Sequence, residues 1–504
     1  MPERQIAGID LGSNSFHMVL GQVGKHGGIR IIDRHKEYIR LAEGLDENNR
    51  LSQEAIDRGL ECLRRFADRL TSVPKGQFRC VGTNTLRRAR NGDDLLGPGT
   101  EILGQEIEVI SGLEEARLIY RGVQLDNGQQ GRRLVVDIGG GSTEVILGDL
   151  NGPQVMDSLH MGCVSTTTMF FPDGRLNRAG MEASALDVER KLAKLYQRFC
   201  SNFDFALGSS GTLNVLGRIL SQSYGTHGVV TRSGLEALTK DLISCGTIEA
   251  YHHPEVSNDR RRVLPGGVAV LRGVMDCLRI DSIRPVSTAL REGLMVDLVG
   301  RASGESPRAT TIDRMQRRFE VDLPQAKRVQ AMALKLFDCV APVWFPEPGE
   351  QRRLLSDAAR LHEVGLFMGF SGYQKHGAYL VANSDLPGFS RDRQRTLAGL
   401  ILCHRGRFSE SRLQRFRLGG AVDMRLALLL RVAVRLNRGR RDGDPFPLSV
   451  TAEGNGLTLC FSPGWLDAHN LTRADLEAEQ RRCIEAGIEL HLESQHDATD
   501  HEFP

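Results

Sequence analysis

The stretch Gly8–Leu20, "GIDLGSNSFHMVL", decides the fold because the chain repeats it as Val135–Leu147, "VVDIGGGSTEVIL". Each copy places a run of small polar residues between two apolar stretches that have the pattern of β-strands. An offset of 127 residues aligns four pairs, namely Asp10 with Asp137, Gly12 with Gly139, Ser15 with Ser142, and His17 with Glu144. The repeat predicts two copies of a strand, a tight turn and a second strand.

The small residues of both turns suit an anion. Glycine leaves backbone N–H groups open to a close ligand, and consecutive amides with a serine hydroxyl form a concavity that most often takes a phosphate. An aspartate at the end of each first strand suits Mg²⁺ held mainly through water. A third turn, "LGSSGT" at Leu207–Thr212, lies between a strand and a helix and offers the amides of Ser210 and Gly211 to an anion.

Strands that pass into helices through short glycine turns fill residues 1–130 and again residues 131–305. This alternation predicts an α/β fold of two duplicated domains with a cleft between them. Within the first domain, Ser52–Leu70 is predicted to be an amphipathic helix that Ser52 caps.

The remainder of the chain has a different pattern. Strand patterns fade over residues 306–445, which predicts an all-helical domain. Residues 446–504 predict a small α+β domain, with a hairpin around Asn455 followed by a helix and a last strand. We expect Arg438–Pro447 to be a linker and the polar tail from Ser494 to be frayed.

Composition and charge exclude several classes of protein. The chain has 504 residues, 40% of them hydrophobic and 25% charged, as in ordinary globular proteins. A net charge of +2 provides no global field, so we expect no nucleic-acid partner. The ten cysteines stand singly without a C-x-x-C pair, which fits a reducing compartment. Because there is no secretory h-region and no apolar run of about 18 residues, we expect a cytoplasmic protein without an integral membrane segment.

Several short motifs are specific in combination: "DLGSNSFHMV", "VGTNTLRRA", "VISGLEEARLIYRGV", "VVDIGGGSTEVILG", "MGCVS", "GSSGT" and "ALREGL", with "LHEVGL" and "HGAYLVANSDLPGF" in the helical part. They resemble the exopolyphosphatase and guanosine pentaphosphate phosphohydrolase family of the actin, Hsp70 and sugar-kinase superfamily, and most closely its bacterial exopolyphosphatases. The resemblance implies two actin-like (ribonuclease H-like) domains that clamp a phosphate chain. It also implies a homodimer, dependence on Mg²⁺ or another divalent cation, and stimulation by K⁺.

The resemblance assigns the chemistry to one glutamate. In the family the second glutamate of "SGLEEA" orients and deprotonates the attacking water, and here that residue is Glu115. Its neighbour Glu114 is interpreted as an acid that favours the N-terminus of a helix. Arg87 in "TNTLRRA" is the cation that we place against a phosphate, because a guanidinium binds phosphate through two parallel hydrogen bonds.

The two turns divide the remaining roles. The resemblance implies that Asp137 and Glu144, with Asp10 as their counterpart, hold the metal and help to place the water. The terminal phosphates would then be held by the backbone amides of Gly12, Ser13, Asn14, Ser15, Gly139, Gly140, Gly141 and Ser142. We expect His17, which takes the place of Glu144 in the first copy, to be structural.

The helical part resembles a metal-dependent HD-type phosphohydrolase whose ligands have changed. Where that pattern needs a His, a His-Asp pair and a distal Asp, this chain has Gln325, His362-Glu363 and Asn437. We therefore predict a metal-free HD-like relic that serves structure and substrate binding. Residues 405–441 hold eleven arginines and two acids, which predicts a surface for a linear polyanion.

These features lead to an exopolyphosphatase as the first hypothesis. The enzyme would remove terminal phosphate from inorganic polyphosphate, and the arginines would hold the rest of the chain and make cleavage processive. A hydrolase that removes the 5′-phosphate of guanosine pentaphosphate is the alternative, because both substrates end in phosphoanhydrides. A kinase of the same superfamily and a sensor of polyphosphate or alarmone without turnover remain further alternatives.

Overall fold

The structure is a computed structural model that describes residues 4–24, 28–126, 129–200, 202–302, 306–345, 348–416, 418–441 and 449–494. The chain forms two compact units, Met1–Ser306 and Pro307–Pro504. The predicted frayed tail beyond Ser494, and the predicted linker from residue 442 onward, lie outside the described residues. Within the described ranges, no helix combines the length and the apolar character that a membrane crossing requires.

The first unit opens with a mixed sheet of five strands and its helices. The strands are β1 (Arg4–Leu11), β2 (Phe16–Val23), β3 (Ile29–Glu37), β4 (Phe78–Gly82) and β5 (Ile107–Val109), and the helices are α1 (Gln53–Arg69), α2 (Asn84–Arg88), α3 (Asp93–Leu103) and α4 (Gly112–Asp126), with a 3-10 turn at Leu41–Gly44. The strand order is β3-β2-β1-β4-β5. The cap predicted for α1 is confirmed, because Ser52 accepts a hydrogen bond from the backbone N–H of Ala55 at 3.3 Å.

A second sheet follows, with six strands. They are β6 (Arg133–Ile138), β7 (Thr143–Asp149), β8 (Gly152–Leu159), β9 (Phe205–Ser209), β10 (Val230–Thr231) and β11 (Ser282–Pro285). The helices are α5 (Cys163–Phe170), α6 (Arg178–Leu192), α7 (Tyr196–Phe199), α8 (Gly211–Tyr224), α9 (Arg232–Cys245), α10 (Asn258–Arg261), α11 (Leu264–Leu278) and α12 (Leu290–Ala302). The strand order is β10-β11-β9-β6-β7-β8.

The two sheets repeat one topology. In each sheet the first three strands are antiparallel neighbours, and two later strands add in parallel at the other edge of the first strand. The order β3-β2-β1-β4-β5 therefore corresponds to β8-β7-β6-β9-β11. The register repeats as well, since Asp10 pairs with His17 across β1 and β2, and Asp137 pairs with Glu144 across β6 and β7. The internal repeat and the α/β fold predicted from the sequence are therefore confirmed.

Helices α4 and α12 cross where glycines replace side chains. A Cβ atom added to Gly122 would lie 2.0 Å from the carbonyl oxygen of Ala289, and one added to Gly293 would lie 1.8 Å from that of Leu118. The two backbones are therefore in direct contact, which only glycine permits. Apolar residues of both helices and both sheets form one buried cluster around this crossing, including Ile119 and Leu294.

The second unit is helical and ends in a three-stranded sheet. Its helices are α13 (Pro307–Arg318), α14 (Leu323–Trp344), α15 (Pro348–Leu361), α16 (Tyr373–Asn383), α17 (Arg391–Cys403), α18 (Glu410–Gln414), α19 (Ala421–Leu436), α20 (Trp465–Ala468) and α21 (Asn470–Glu485), with a 3-10 turn at Val364–Phe367, and its strands are β12 (Ser449–Glu453), β13 (Gly456–Phe461) and β14 (Glu489–Ser494). Leu457, Leu459 and Phe461 of the sheet lie in the same buried core as Val340 and Leu429 of the helices.

The positions of the HD-type pattern meet inside this second unit and bond to one another. The Gln325 side-chain amide donates to the carbonyl oxygen of Asn437 at 2.9 Å. Arg440 forms ion pairs with Glu363 and with Asp322, the latter at 2.7 Å. His362 is fully buried, and burial lowers its pKa, so the ring is neutral. A guanidinium thus supplies the positive charge beside Glu363.

Most arginines of the arginine-rich segment have partners within the second unit. Of the ten arginines that the structure describes in this segment, Arg405 lies over the rings of Phe370 and Tyr373. Six more form hydrogen bonds or ion pairs with protein groups, namely Arg412, Arg425, Arg431, Arg435, Arg438 and Arg440. Arg431 is completely buried against Glu479, an acid outside the segment. Most of these guanidiniums are therefore hydrogen-bonded or ion-paired within the unit, and a surface for a linear polyanion stays a prediction.

Candidate functional site

A cavity of about 230 Å³ opens between the two sheets of the first unit. Its wall contains thirteen of the fifteen predicted site residues, namely Asp10, Gly12, Ser13, Asn14, Ser15, Glu115, Asp137, Gly139, Gly140, Gly141, Ser142, Ser210 and Gly211. The other two, Arg87 and Glu144, are not among the wall residues. The loops that follow β1, β6 and β9 thus reach one cavity although they lie far apart in the sequence.

The first two loops face each other closely. A Cβ atom added to Gly140 would lie 3.1 Å from the Cβ of Ser13, and one added to Gly141 would lie 2.6 Å from the Asn84 side-chain oxygen. Thr85 donates a hydrogen bond to the Ser13 hydroxyl at 2.8 Å, which fixes the first loop from the side of β4. Glycine in the second loop therefore keeps open the narrow space between the loops.

Buried carboxyl groups converge on this space. Burial raises the pKa of Asp10 to about 7, and the charges of Glu115 and Asp137 add to this rise, whereas the charge of Arg291 opposes it. Burial also raises the pKa of Asp137 to about 6, and a hydrogen bond from Ser209 opposes the rise. Near neutral pH, each of these two carboxyl groups would therefore hold a proton part of the time unless a positive charge enters the cavity.

Glu144 lies directly behind the cavity wall. It pairs with Asp137 across two strands and accepts a hydrogen bond from the Ser158 hydroxyl at 2.8 Å. Burial raises its pKa well above the usual range, and the charges of Glu115 and Asp137 contribute.

Glu115 reaches the cavity from the first turn of α4. Ser111 begins this helix, since its hydroxyl accepts a hydrogen bond from the Glu114 N–H at 3.1 Å and its carbonyl accepts one from the Glu115 N–H at 2.9 Å. Arg87 holds the Glu115 carboxylate by an ion pair of 2.6 Å and also contacts the Ile110 carbonyl at 3.1 Å. The structure thus places Arg87 beside the predicted base.

Three cationic side chains of the cavity wall are not among the site residues predicted from the sequence. Lys36 comes from β3, Arg260 from α10 and Arg291 from the second residue of α12. Burial and the charges of Arg291, Lys36 and Arg260 hold the pKa of His17 well below its usual range. His17 therefore stays neutral, and its ring nitrogen lies 2.8 Å from the Ser15 hydroxyl. Of the three cations, only Arg291 stands in a motif, "ALREGL".

The third loop is held in an unusual conformation. Ser210, which caps α8, has a φ of 100°, a region that glycine adopts far more readily than serine. The Asn214 side chain donates a hydrogen bond to the Ser210 carbonyl at 2.8 Å. The guanidinium of Arg260 lies over Gly211, since a Cβ atom there would be 1.9 Å from it. Backbone amides and a cation are thus gathered at the start of α8.

The carboxylates also suit a divalent cation. One oxygen of Asp10 is buried without a hydrogen-bond partner in the described structure, as expected for a group that awaits a ligand. Among the described residues, no three His, Cys, Asp or Glu side chains form a ready-made metal cluster. Mg²⁺ does not require one, because it is commonly bound through one or two carboxylates together with water and substrate phosphates.

Comparison with protein families gives two matches that follow each other along the chain. Residues 19–302 match the model of the Ppx/GppA phosphatase family, and residues 308–480 match the model of domain III of the Ppx/GppA phosphatases. Together they span both units of the structure.

Curated relatives match over nearly their whole length. The chain is 39% identical over 492 residues to the guanosine-5'-triphosphate,3'-diphosphate pyrophosphatase of Vibrio vulnificus, which covers 97% of this chain and 98% of that protein. It is 37% identical over 491 residues to the protein of the same name from Aeromonas hydrophila, with 96% and 98% covered.

Solved structures agree on the fold. The Ppx/GppA family member of Aquifex aeolicus aligns with a TM-score of 0.52 at 24% identity, covering 60% of this chain and 99% of that one. An exopolyphosphatase from Cytophaga hutchinsonii aligns with a TM-score of 0.54 at 22% identity, covering 59% and 98%.

Proposed function

The chain belongs to the Ppx/GppA phosphatase family and is a phosphoanhydride hydrolase, and we propose that it removes the terminal 5′-phosphate of guanosine pentaphosphate. The observation that carries this substrate is the identity of 36–39% to relatives named for it, over at least 96% of this chain. The relatives therefore favour the alternative of the sequence analysis over inorganic polyphosphate.

The loops and the cations would bind the triphosphate end. Amides of the loops after β1, β6 and β9 surround the cavity, and Lys36, Arg260 and Arg291 add positive charge to its wall. Fixed donors around a transferring phosphoryl group supply most of the catalysis in phosphoryl transfer, because this reaction depends mainly on positioning and charge stabilisation.

Glu115 would orient the attacking water and take its proton. Its carboxylate lines the cavity, and one of its oxygens is held at 2.6 Å by Arg87. The ion pair fixes the direction of the carboxylate, and the free oxygen remains available for the water. In this proposal Arg87 supports the base, and contact with a phosphate would be its second role.

Asp10, Asp137 and Glu144 would hold a divalent cation, for which Mg²⁺ is our proposal. Such an ion, when bound, would neutralise charge on the transferring phosphoryl group. The raised pKa values of all three acids fit this role, since their negative charges are costly until a cation compensates them. K⁺ stimulation, a homodimer and a cytoplasmic location remain predictions of the same kind.

The helical unit would have a structural role. We infer that its HD-like pattern is a relic, because Arg440 supplies the charge beside Glu363 and Gln325 bonds to Asn437. The domain limits predicted from the sequence, at residues 130/131, 305/306 and 445/446, stay part of this proposal.

The substrate is tested by comparing kcat/KM for guanosine pentaphosphate and long-chain polyphosphate with Mg²⁺ present. We expect guanosine pentaphosphate to be favoured at least tenfold. A higher kcat/KM for polyphosphate would restore the exopolyphosphatase hypothesis.

The role of Glu115 is tested with Glu115→Gln, which we expect to lower kcat by about 10³-fold, because general base catalysis contributes about 10²–10⁴. Glu101→Gln, a change in an exposed acid of α3, is the matched control and should keep the wild-type rate. Wild-type phosphate release by Glu115→Gln would exclude it as the base.

A further inference from the structure

We propose that Asp297 is a positioning residue that sets the place of Glu115 through a buried network of ions behind the cavity. The proposal rests on the role of Glu115 given above. The network contains three carboxylates and three guanidiniums, namely Glu108, Glu114, Asp297, Arg79, Arg117 and Arg301. None of these six residues lines the cavity.

Asp297 joins three elements with one carboxylate. From α12, one oxygen contacts Arg117 of α4 at 2.7 Å, and the other contacts Arg79 of β4 at 2.7 Å. Only 2% of Asp297 is exposed. Burial alone would raise its pKa, but the charges of Arg117, Arg79 and Arg301 outweigh burial and lower the pKa to about 2. The carboxylate is therefore charged at every pH at which the enzyme works.

Each of the three elements ends at the cavity. Helix α4 carries Glu115 two residues before Arg117, and α12 carries Arg291 in its first turn. Strand β4 leads into Thr83 and Asn84, which line the same wall. A shift of Asp297 would therefore move the base, a cation and the wall relative to one another.

The network supplies a constraint that the glycine crossing lacks. The contacts of Gly122 and Gly293 set the distance between α4 and α12. These backbone contacts and the apolar cluster around them are not directional, so they leave some freedom to slide along the helix axis or to rotate about it. The directed ion pairs of Asp297 with Arg117 and Arg79 fix that remaining freedom, because charge-assisted hydrogen bonds are strongly oriented.

Glu114 completes the constraint next to the base. Its two oxygens hold Arg117 at 2.7 and 2.8 Å, and only 1% of Glu114 is exposed. Adjacent helical residues point about 100° apart, so anchoring Glu114 inward turns Glu115 toward the cavity. The first glutamate of "SGLEEA" is thus a partner of Arg117 in addition to an acid at a helix N-terminus.

The test uses full-length Asp297→Asn and measures kcat and KM per folded molecule on whichever of guanosine pentaphosphate and polyphosphate the wild-type protein hydrolyses faster. We expect kcat to fall by about 10²-fold, as for small misplacements of a catalytic group. KM should change much less than kcat, because none of the network residues lies in the loops after β1, β6 and β9 that would bind the phosphates. The acidic limb of the pH profile of kcat should move.

A second variant protects the test against a failure to fold. In Glu114→Gln, Asp297 still compensates Arg117, and we expect this variant to fold and to lose about tenfold in kcat. The matched control is Glu479→Gln in the second unit, where one buried acid likewise contacts Arg431, Arg435 and Arg482. The control should lose stability and keep kcat per folded molecule.

Two results would overturn the positioning role. One is wild-type kcat in folded Asp297→Asn or, where that variant does not fold, in folded Glu114→Gln. The other is an equal loss of kcat in Glu479→Gln. Glu115→Gln, measured in the same assay, separates this proposal from the proposed function. If Glu115→Gln is inactive and Asp297→Asn is normal, only the positioning role fails, whereas an active Glu115→Gln removes the base itself.

Discussion

The two halves of the first unit share one topology and differ at the residue that faces the strand-end aspartate. In the first half Asp10 pairs with His17, which is neutral and bound to Ser15. In the second half Asp137 pairs with Glu144, which adds a second carboxyl group. A duplicated scaffold has thus become asymmetric by one exchange, and the second half carries two paired carboxyl groups where the first half carries one.

The larger loss of kcat should come from changing the acidic member of this unequal pair, Glu144. We expect Glu144→Gln to lower kcat by about 10²–10³-fold, because in our proposal Glu144 helps to hold the cation and to place the water. His17→Gln, the corresponding change in the first half, should cost less than about tenfold, because an amide can still bond to Ser15. Phosphate release at saturating substrate measures both.

Equal losses in these two variants would show that the halves remain functionally equivalent. Added Mn²⁺ or Mg²⁺ should not restore Glu144→Gln fully, whereas a rescue to the wild-type rate would assign Glu144 to metal affinity alone.

An effect of intermediate size is expected on the pH dependence of stability, through Asp10 of the first half. Asp10 has a folded-state pKa of about 7, against about 3.9 in the unfolded chain, so the folded state retains a proton that the unfolded state releases. The Asp10 carboxyl should therefore contribute a loss of about 2–4 kcal/mol of stability in the metal-free protein as pH rises from about 4 to 7, opposite in sign to the contribution of the buried histidines. Asp10→Asn should flatten this dependence and be the more stable protein at pH 8.

Urea unfolding in the presence of a chelator, at several pH values, measures this slope. A pH dependence of Asp10→Asn that matches the wild-type dependence over this window would contradict the raised pKa of Asp10.

The smallest effect is expected on stability, in a comparison of the loops that follow β4 and β9. Thr83, which caps the helix after β4, has a negative φ, whereas Ser210, which caps the helix after β9, has a φ of 100°. Ser210→Gly should stabilise the protein by about 1 kcal/mol, because glycine adopts this conformation without strain. Thr83→Gly should destabilise it by a similar amount, because flexibility is added without relief of strain.

Thermal unfolding midpoints of the two variants provide the measurement. A gain in stability at both positions, or at neither, would mean that the strain at Ser210 has no energetic consequence.

The fold and the loops could be predicted because they are encoded locally. The repeat of "GIDLG" as "VVDIGG" carries its own periodicity, and a glycine turn after a strand has few structural interpretations. Glu115 could be proposed as the base because "SGLEEA" resembles the corresponding motif of the family. These features need no knowledge of which distant segments meet.

The rest depends on contacts between distant segments. Lys36 and Arg260 reach the cavity from segments without a motif. The partners of the arginine run cannot be read from the sequence, which shows how many charges a segment has but not what they contact, and Glu479 lies 48 residues from Arg431. The partner of Asp297 could not be predicted either, because Arg79 lies in a distant segment and no motif links the two residues.

The crossing of Gly122 and Gly293 has a consequence for how such enzymes diverge. Two backbones in direct contact leave no side chain whose enlargement or shortening could change their spacing. Point mutation can therefore neither widen nor narrow the reaction centre in small steps at this crossing. Changes in the size of the cavity must therefore come from side chains elsewhere in its wall, such as those of Lys36, Arg260 and Asn214.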